Sequence, residues 1–188
     1  MIEILIVFGI ILLLVGGTIL FTISWLISSF NFFKSTKEAI KTQWSNIITE
    51  YDRRIDLFLN LASTVKSLKD HEYNTLTSIA QYRSGIIKGS KGEQLKAMSK
   101  IESMITGIFE RYPNLTANKA HEDLMTEITI TEERINSART GYNEVVREYN
   151  TNVETFPRNI IAARYGFKVE SYYESAKKDV LVAPVIKL

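Results

Sequence analysis

The sequence predicts an all-α fold: an N-terminal transmembrane helix, then an antiparallel up-and-down bundle of three long helices plus a short fourth, and an extended C-terminal tail. Three observations predict it. Residues 4–33 contain no Asp, Glu, Lys, Arg or His. Beyond them, apolar residues recur in alternating steps of four and three, the heptad spacing of a helix that packs along a seam. Glycine, serine and proline then fall between the periodic stretches rather than inside them.

The charge-free stretch is taken first. Crossing a hydrocarbon core of about 30 Å takes about 20 apolar residues, and residues 4–33 supply them with several to spare. A helix satisfies its own backbone hydrogen bonds in lipid, so Gly9, Gly16 and Gly17 weaken it less there than in water. The three glycines lack the four-residue spacing of a close helix pair. A cleaved signal peptide would need a basic start, a shorter apolar run and a small-residue cleavage site, none of which is present. Lys34, Lys37 and Lys41 follow the stretch and only the α-amino group precedes it as a cation. The expectation is a single-pass protein of the inner (plasma) membrane with its N-terminus outside and its bundle in the cytoplasm. Residues 1–34 form the anchor and residues 35–188 the bundle with its tail.

In the first bundle helix, Trp44, Ile48, Tyr51, Ile55, Phe58, Ala62 and Val65 keep the four-three step, continuing more loosely through Leu68, Leu76, Ile79 and Ile86. With no proline before Pro113, this helix is expected to reach about residue 87. Nothing between Phe33 and Lys37 breaks the pattern either, so span and bundle helix are expected to form one rod, over about 100 Å long at 1.5 Å per residue. Residues 88–92, Lys-Gly-Ser-Lys-Gly, make the turn. The second helix carries Leu95, Met98, Ile101, Ile105, Ile108 and Tyr112, and stops where Pro113 forces Tyr112 out of the α region. The third carries Leu124, Ile128, Thr131, Ile135, Ala138, Tyr142, Val145, Tyr149, Asn152 and Phe156, ending at Pro157. A short fourth helix spans residues 158–165 with Gly166 as its cap. Residues 171–178 are expected to add a turn or two of helix, and residues 180–185 to be extended. Such periodicity makes a left-handed coiled-coil-like bundle.

Composition narrows the function. The chain has 23 basic and 21 acidic residues, interleaved after residue 34 without a basic block, which argues against nucleic acid as a partner. Zero cysteines remove disulfides, thiolate metal sites and cysteine nucleophiles. Of the two histidines, His71 precedes Glu72 and His121 precedes Glu122 and Asp123, yet neither shares a helix turn with a second histidine as zinc hydrolases require. No phosphate loop, nucleophile elbow or Ser-His-Asp pattern occurs, and Glu132 with Glu133 reads as helix surface. No catalytic residue, metal site or cofactor is expected, and the chain reads as a non-enzyme.

Two features remain. Asn136, Asn143 and Asn150 recur every seven residues beside Arg134, Arg139 and Arg147, a pattern that fixes helix register when buried. Asp56 and Asn60, one turn apart on the first helix, are expected to meet Arg139 and Asn143 in a polar interhelical layer, structural or ligand-binding. The tail VLVAPVIKL, with Val180, Leu181, Val182, Val185 and Ile186, offers an apolar strip for assembly.

Trp44, Tyr51, Arg54, Asp56, Leu57, Asn60, Leu61, Val65, Lys66, His71 and Glu72 resemble the first signature of the LemA family. YPNLTAN (residues 112–118), TEERINSARTGYNEVVREYN (131–150) and FPRNIIA (156–162) resemble its later ones, in the same order. The likeness covers nearly the whole of the chain after the span. It departs at Leu59, where the family usually has proline, at Glu133, where asparagine is usual, and at Ala120 and His121, where an aromatic is common. The missing proline is expected to straighten the first helix. The resemblance implies a membrane protein with a short outside N-terminus and a cytoplasmic helical bundle; it implies no reaction. Relatives occur among magnetosome membrane proteins, and a membrane protease is a neighbour of the family. The expected role is a membrane-anchored scaffold or adaptor, homo-oligomeric, with the lipid bilayer and another membrane protein, such as a protease, as partners. The alternative is a ligand- or signal-binding module built on the polar layer.

Overall fold

A computed structural model describes residues 1–65, 71–115 and 122–173. Helix α1 is Ile2–Thr64, α2 Tyr73–Lys88, α3 Lys91–Arg111, α4 Glu122–Glu154 and α5 Arg158–Tyr165, with a 3₁₀ turn at Pro113–Leu115. Among the described residues there is no strand, and the all-α expectation holds.

The span and the first bundle helix are continuous in α1, and the helix runs through Leu59 without interruption. It does not reach residue 87. The Ser63 and Thr64 hydroxyls donate back to the carbonyls of Asn60 and Leu61 (both 2.7 Å), and the Val65 N–H turns to Ala62 O at 3.4 Å, an i→i−3 bond. Three weak helix formers in a row, Ser63, Thr64 and Val65, stand where the helix ends without glycine or proline. The remaining helices follow the breakers. Gly89 sits where a Cβ would come within 2.5 Å of Gly85 O, so the α2–α3 link requires glycine. Ser90 then begins α3, its N–H and hydroxyl both bonding the Glu93 carboxylate at 2.7 Å. Gly166 closes α5 at φ 72°, in the left-handed region. Residues 171–173 are not helical, and Asn150 bonds both the carbonyl and the N–H of Glu170 just before them. Residues 174–178 and 180–185 lie outside the described residues.

The chain divides into two units. One comprises Met1–Lys41 with Asn143–Tyr172. In its apolar start Ile4 (73%), Leu13 (74%) and Phe21 (74%) are exposed, as on a lipid-facing helix. α1 is the helix long and apolar enough to cross a membrane. The Thr18 and Thr22 hydroxyls donate within the helix, to Val15 O and Thr18 O, so they carry no unmet hydrogen bond into lipid. At the end of the charge-free stretch an aromatic cluster forms the core of this unit: Phe33, fully buried, stacks on Phe167 at 4.9 Å and meets the Tyr149 ring edge-on at 5.9 Å. Ile161 and Ala162 are its buried contribution from α5.

The second unit comprises Thr42–Tyr142 with Tyr173. Ile47, Tyr51, Ile55, Phe58 and Leu61 of α1, Ile79 and Ile86 of α2, Met98, Ile101, Ile105 and Ile108 of α3, and Ile128, Ile135 and Tyr142 of α4 are its core. The heptad reading slips by one residue in places. Ile47 is buried and Ile48 only half-buried; Gln94 is buried where Leu95 was expected, and Val146 of the first unit where Val145 was. The buried face of a helix is wider than a single line of residues, and at each of these places the adjacent residue is the more deeply buried. Phe156, expected at the end of the third seam, is 79% exposed, because α4 stops at Glu154.

Candidate functional site: a polar and aromatic layer

The polar layer exists within the second unit, with a different membership from the one expected. Arg139 of α4 is held by Glu102 of α3, Nη2 to Oε2 at 3.2 Å, and also donates to the Tyr51 hydroxyl of α1. Tyr51 in turn lies 3.0 Å from Glu102 Oε2, closing a triangle of three helices. The Arg139 guanidinium lies over the Tyr173 ring at 4.9 Å and the Tyr51 ring at 5.5 Å, so its charge meets aromatic faces where it does not meet a carboxylate. Its Nη1 reaches Asn136 at 3.2 Å. Burial first, and then the adjacent Tyr173 hydroxyl, push the Tyr51 phenol well above its ordinary value, so it stays protonated and donates to Glu102.

Beside this triangle, Lys91 lies over the rings of Trp44 (5.0 Å) and Tyr142 (4.8 Å) and donates to the Tyr142 hydroxyl. Trp44 and Tyr142 meet edge to face at 5.4 Å, and Trp44 Nε1 donates to Gln94 Oε1 at 2.7 Å. Gln94 Nε2 passes the bond on to Ile86 O (2.8 Å), a carbonyl in the last turn of α2 that has no helical partner of its own. Buried Gln94 thereby connects α1, α2 and α3.

The other expected members go elsewhere. Asp56 pairs with Arg83 of α2, which also takes Asp52 in a bond of 2.7 Å. Asn60 is exposed, and Asn143 belongs to the first unit. Asn150, the third asparagine of the stripe, bonds not a neighbouring helix but the segment after α5: its Nδ2 donates to Glu170 O and its Oδ1 accepts from Glu170 N–H, both at 2.8 Å. The assembly residues Val180, Leu181, Val182, Val185 and Ile186 lie outside the described residues, as does His121. Among the described residues no group of three side chains is placed to hold a metal ion.

Gln94, Glu102, Lys91, Arg83 and Tyr173 were missed. Gln94 had a legible signal: with Met98, Ile101, Ile105 and Ile108 it keeps the four-three step, and a glutamine in that register must find a partner. Trp44, Tyr51 and Tyr142 carried the same signal, being polar-tipped aromatics on a seam. Glu102 and Tyr173 had none.

Glu72, just before α2, makes a two-point bond with Arg111 at the end of α3, at 3.1 and 3.0 Å, and accepts from Thr75 at 2.9 Å. Burial acts to raise its carboxyl, and the Arg111 and Thr75 hydrogen bonds outweigh that and hold it below 4.5. A lowered folded-state value means stability that is present above pH 4.5 and is lost as pH falls through that lowered value. Glu72→Gln is therefore expected to shift the urea midpoint down at pH 7 and by less at pH 3. An equal shift at both values would show that the carboxylate charge is not what Arg111 holds.

An open groove of about 490 Å³ in the same unit is lined by Asn46, Glu50, Ile130, Glu133, Arg134, Ser137 and Ala138. Glu50 Oε2 is buried there without a hydrogen-bond partner among the described residues.

Comparison with known proteins places this arrangement. Protein LemA of Metamycoplasma hominis is 30% identical over 117 residues, covering 60% of this chain and 53% of that protein. The match thus spans about half the length of the mycoplasma relative. Magnetosome protein MamQ of Magnetospirillum gryphiswaldense is 24% identical over 196 aligned positions, 87% of this chain and 72% of its own. Magnetosome protein MamQ 2 of Paramagnetospirillum magneticum is 22% identical over 182, 81% and 67% respectively. The sequence model of the LemA family matches residues 43–187, which take in the whole polar and aromatic layer, and the chain belongs to the LemA family.

Proposed function

We propose that this protein is a membrane-anchored, non-enzymatic scaffold or adaptor. Residues 1–34 hold it in the plasma membrane in a single pass with the N-terminus outside, and residues 35–188 form a cytoplasmic bundle that self-associates through its helices and C-terminal tail. The observation that carries the reading is the pairing of an exposed apolar helix with a bundle whose charged groups serve cohesion. Leaving some twenty large apolar side chains in water would cost on the order of tens of kcal/mol, which lipid removes. In the bundle, Arg139 with Glu102, Arg83 with Asp52 and Asp56, and Arg53 with Glu127 tie helix to helix. Ionisable groups bound to one another lend stiffness to a bundle rather than chemistry to a substrate. The relatives named as magnetosome proteins fit a role in organising a structure. An adaptor for a membrane protease would use the same surfaces.

A ligand-binding reading draws on the groove, because Glu50 lines it beside Arg134 and Ser137 and keeps a buried carboxylate oxygen without a hydrogen-bond partner among the described residues.

Light scattering coupled to size exclusion, on the full-length protein in a mild detergent and on a chain ending at Val180, tests the proposal. A tail-dependent oligomer is the expected result. A monomer in both forms would overturn self-association and turn attention to the groove.

A further inference from the structure

The charge-free stretch explains the exposed apolar residues up to Ile27, and a second set in the same unit lies far along the chain. Phe156 is 79% exposed, Ile160 56%, Tyr165 60% and Val169 52%. Ile160 and Tyr165 belong to α5 and Phe156 and Val169 flank it, while Ile161 and Ala162 are the residues this helix buries. The helix therefore has one apolar face against its own unit and a second set of apolar side chains in the open.

Three observations say what covers them. Tyr165 meets Phe30 at 4.9 Å, and Phe167 meets it at 5.9 Å. Phe30 lies 26 residues after Ile4 in one unbroken helix, about 40 Å at 1.5 Å per residue, while a bilayer with its headgroups is about 40–45 Å thick. Tyr165 therefore stands at headgroup height, where tyrosine and tryptophan collect. The charges match as well: residues 155–169 hold Arg158, Arg164 and Lys168 and no acid. Arg158 lies over the Phe32 ring at 4.2 Å, and Lys34 over the Phe30 ring at 5.7 Å, a basic and aromatic rim around the end of the span.

We infer that α5 and its flanks, residues 156–169, are a second membrane contact. Phe156, Ile160, Tyr165 and Val169 enter the boundary between headgroups and acyl chains, and Arg164 and Lys168 meet anionic headgroups. The inference rests on the single-span reading and adds to it a helix that lies on the bilayer beside the one that crosses it.

The chain has no cysteine, so single nitroxide labels can be placed in the full-length protein. Labels at I160C, at L13C within the span and at S84C on the exposed side of α2 would be compared in vesicles of phosphatidylcholine and phosphatidylglycerol, by relaxation with oxygen and with a water-soluble nickel chelate. The oxygen-to-nickel ratio at I160C is expected to exceed that at S84C several-fold and to stay below that at L13C. Replacing Arg164 and Lys168 by glutamate should lower the I160C ratio and leave the L13C ratio unchanged. If L13C reads as lipid and I160C reads like S84C, the second contact is wrong and the span stands. If L13C also reads as water, the span fails and the contact with it. An I160C label shielded from both reagents would mean that protein, a second copy or a partner, covers the face, and would overturn the inference.

Discussion

Replacing Arg139 by alanine is expected to destabilise the bundle by about 3 kcal/mol, the lower end of the cost of breaking a buried ion pair, since both side chains keep some water contact. The substitution leaves Glu102 with a desolvated charge and one neutral donor, Tyr51, and removes the cation that sits against the Tyr51 and Tyr173 rings. Urea unfolding of the full-length protein in detergent, followed by fluorescence, measures it; Trp44 packs against Tyr142 beside the layer and reports the loss. The double variant Arg139→Met with Glu102→Met is expected to recover a large part of the deficit, because an uncompensated charge costs more than the absence of both. A change below about 0.5 kcal/mol in Arg139→Ala would put this pair in the class of surface pairs and remove the layer from any account of bundle rigidity.

Phe33→Ala is expected to cost about 3–5 kcal/mol, the range for emptying a buried phenylalanine site. Phe33 is fully buried, and the rings of Phe167 and Tyr149 rest on it. The loss should appear first in α5 and the segment after it, which are seated on this cluster. Limited trypsin digestion in vesicles reads it directly: cleavage after Arg158, Arg164 and Lys168 should rise at least about tenfold, as a local opening energy lowered by more than 1.4 kcal/mol implies. Phe33→Leu should restore most of the resistance by refilling the volume. If the alanine variant resists trypsin as well as the parent, the Asn150 bonds to Glu170, and not the aromatic stack, hold the segment.

Where local chemistry decided the structure, the sequence was readable. The span, the stops at Tyr112 and before Pro157, the eight residues of α5 and the left-handed Gly166 follow from hydropathy, from proline's missing N–H and from glycine's freedom, all of which act within a few residues. The break after Thr64 was not readable as such. Ser-Thr-Val carries no strong breaker, and Ser35-Thr36, with the same backward hydroxyl bonds, lies inside α1 without ending it, so the local sequence did not mark this end. The seam was legible to within one residue, and the slips from Ile48 to Ile47 and from Leu95 to Gln94 fall within the width of a buried helix face.

The candidate layer shows the same division. Arg139 and Asp56 were identified as polar groups facing other helices, and both do, since the charge of a side chain on a helix flank obliges it to find a partner or water. Their partners depended on distances between residues 27 to 88 positions apart, such as Arg83 with Asp56 or Arg139 with Tyr51. Periodicity sets which face of a helix is buried, whereas the rotation and offset of one helix on the next set which carboxylate an arginine meets. By itself, then, the sequence determined an all-helical chain with a membrane-length apolar segment and the positions of most helix ends. Only the tertiary structure decided that Glu102 rather than Asp56 holds Arg139, that Asn150 pins the Glu170 peptide, and that α5 bears apolar side chains at the end of the span, because each depends on side chains brought together from distant parts of the chain.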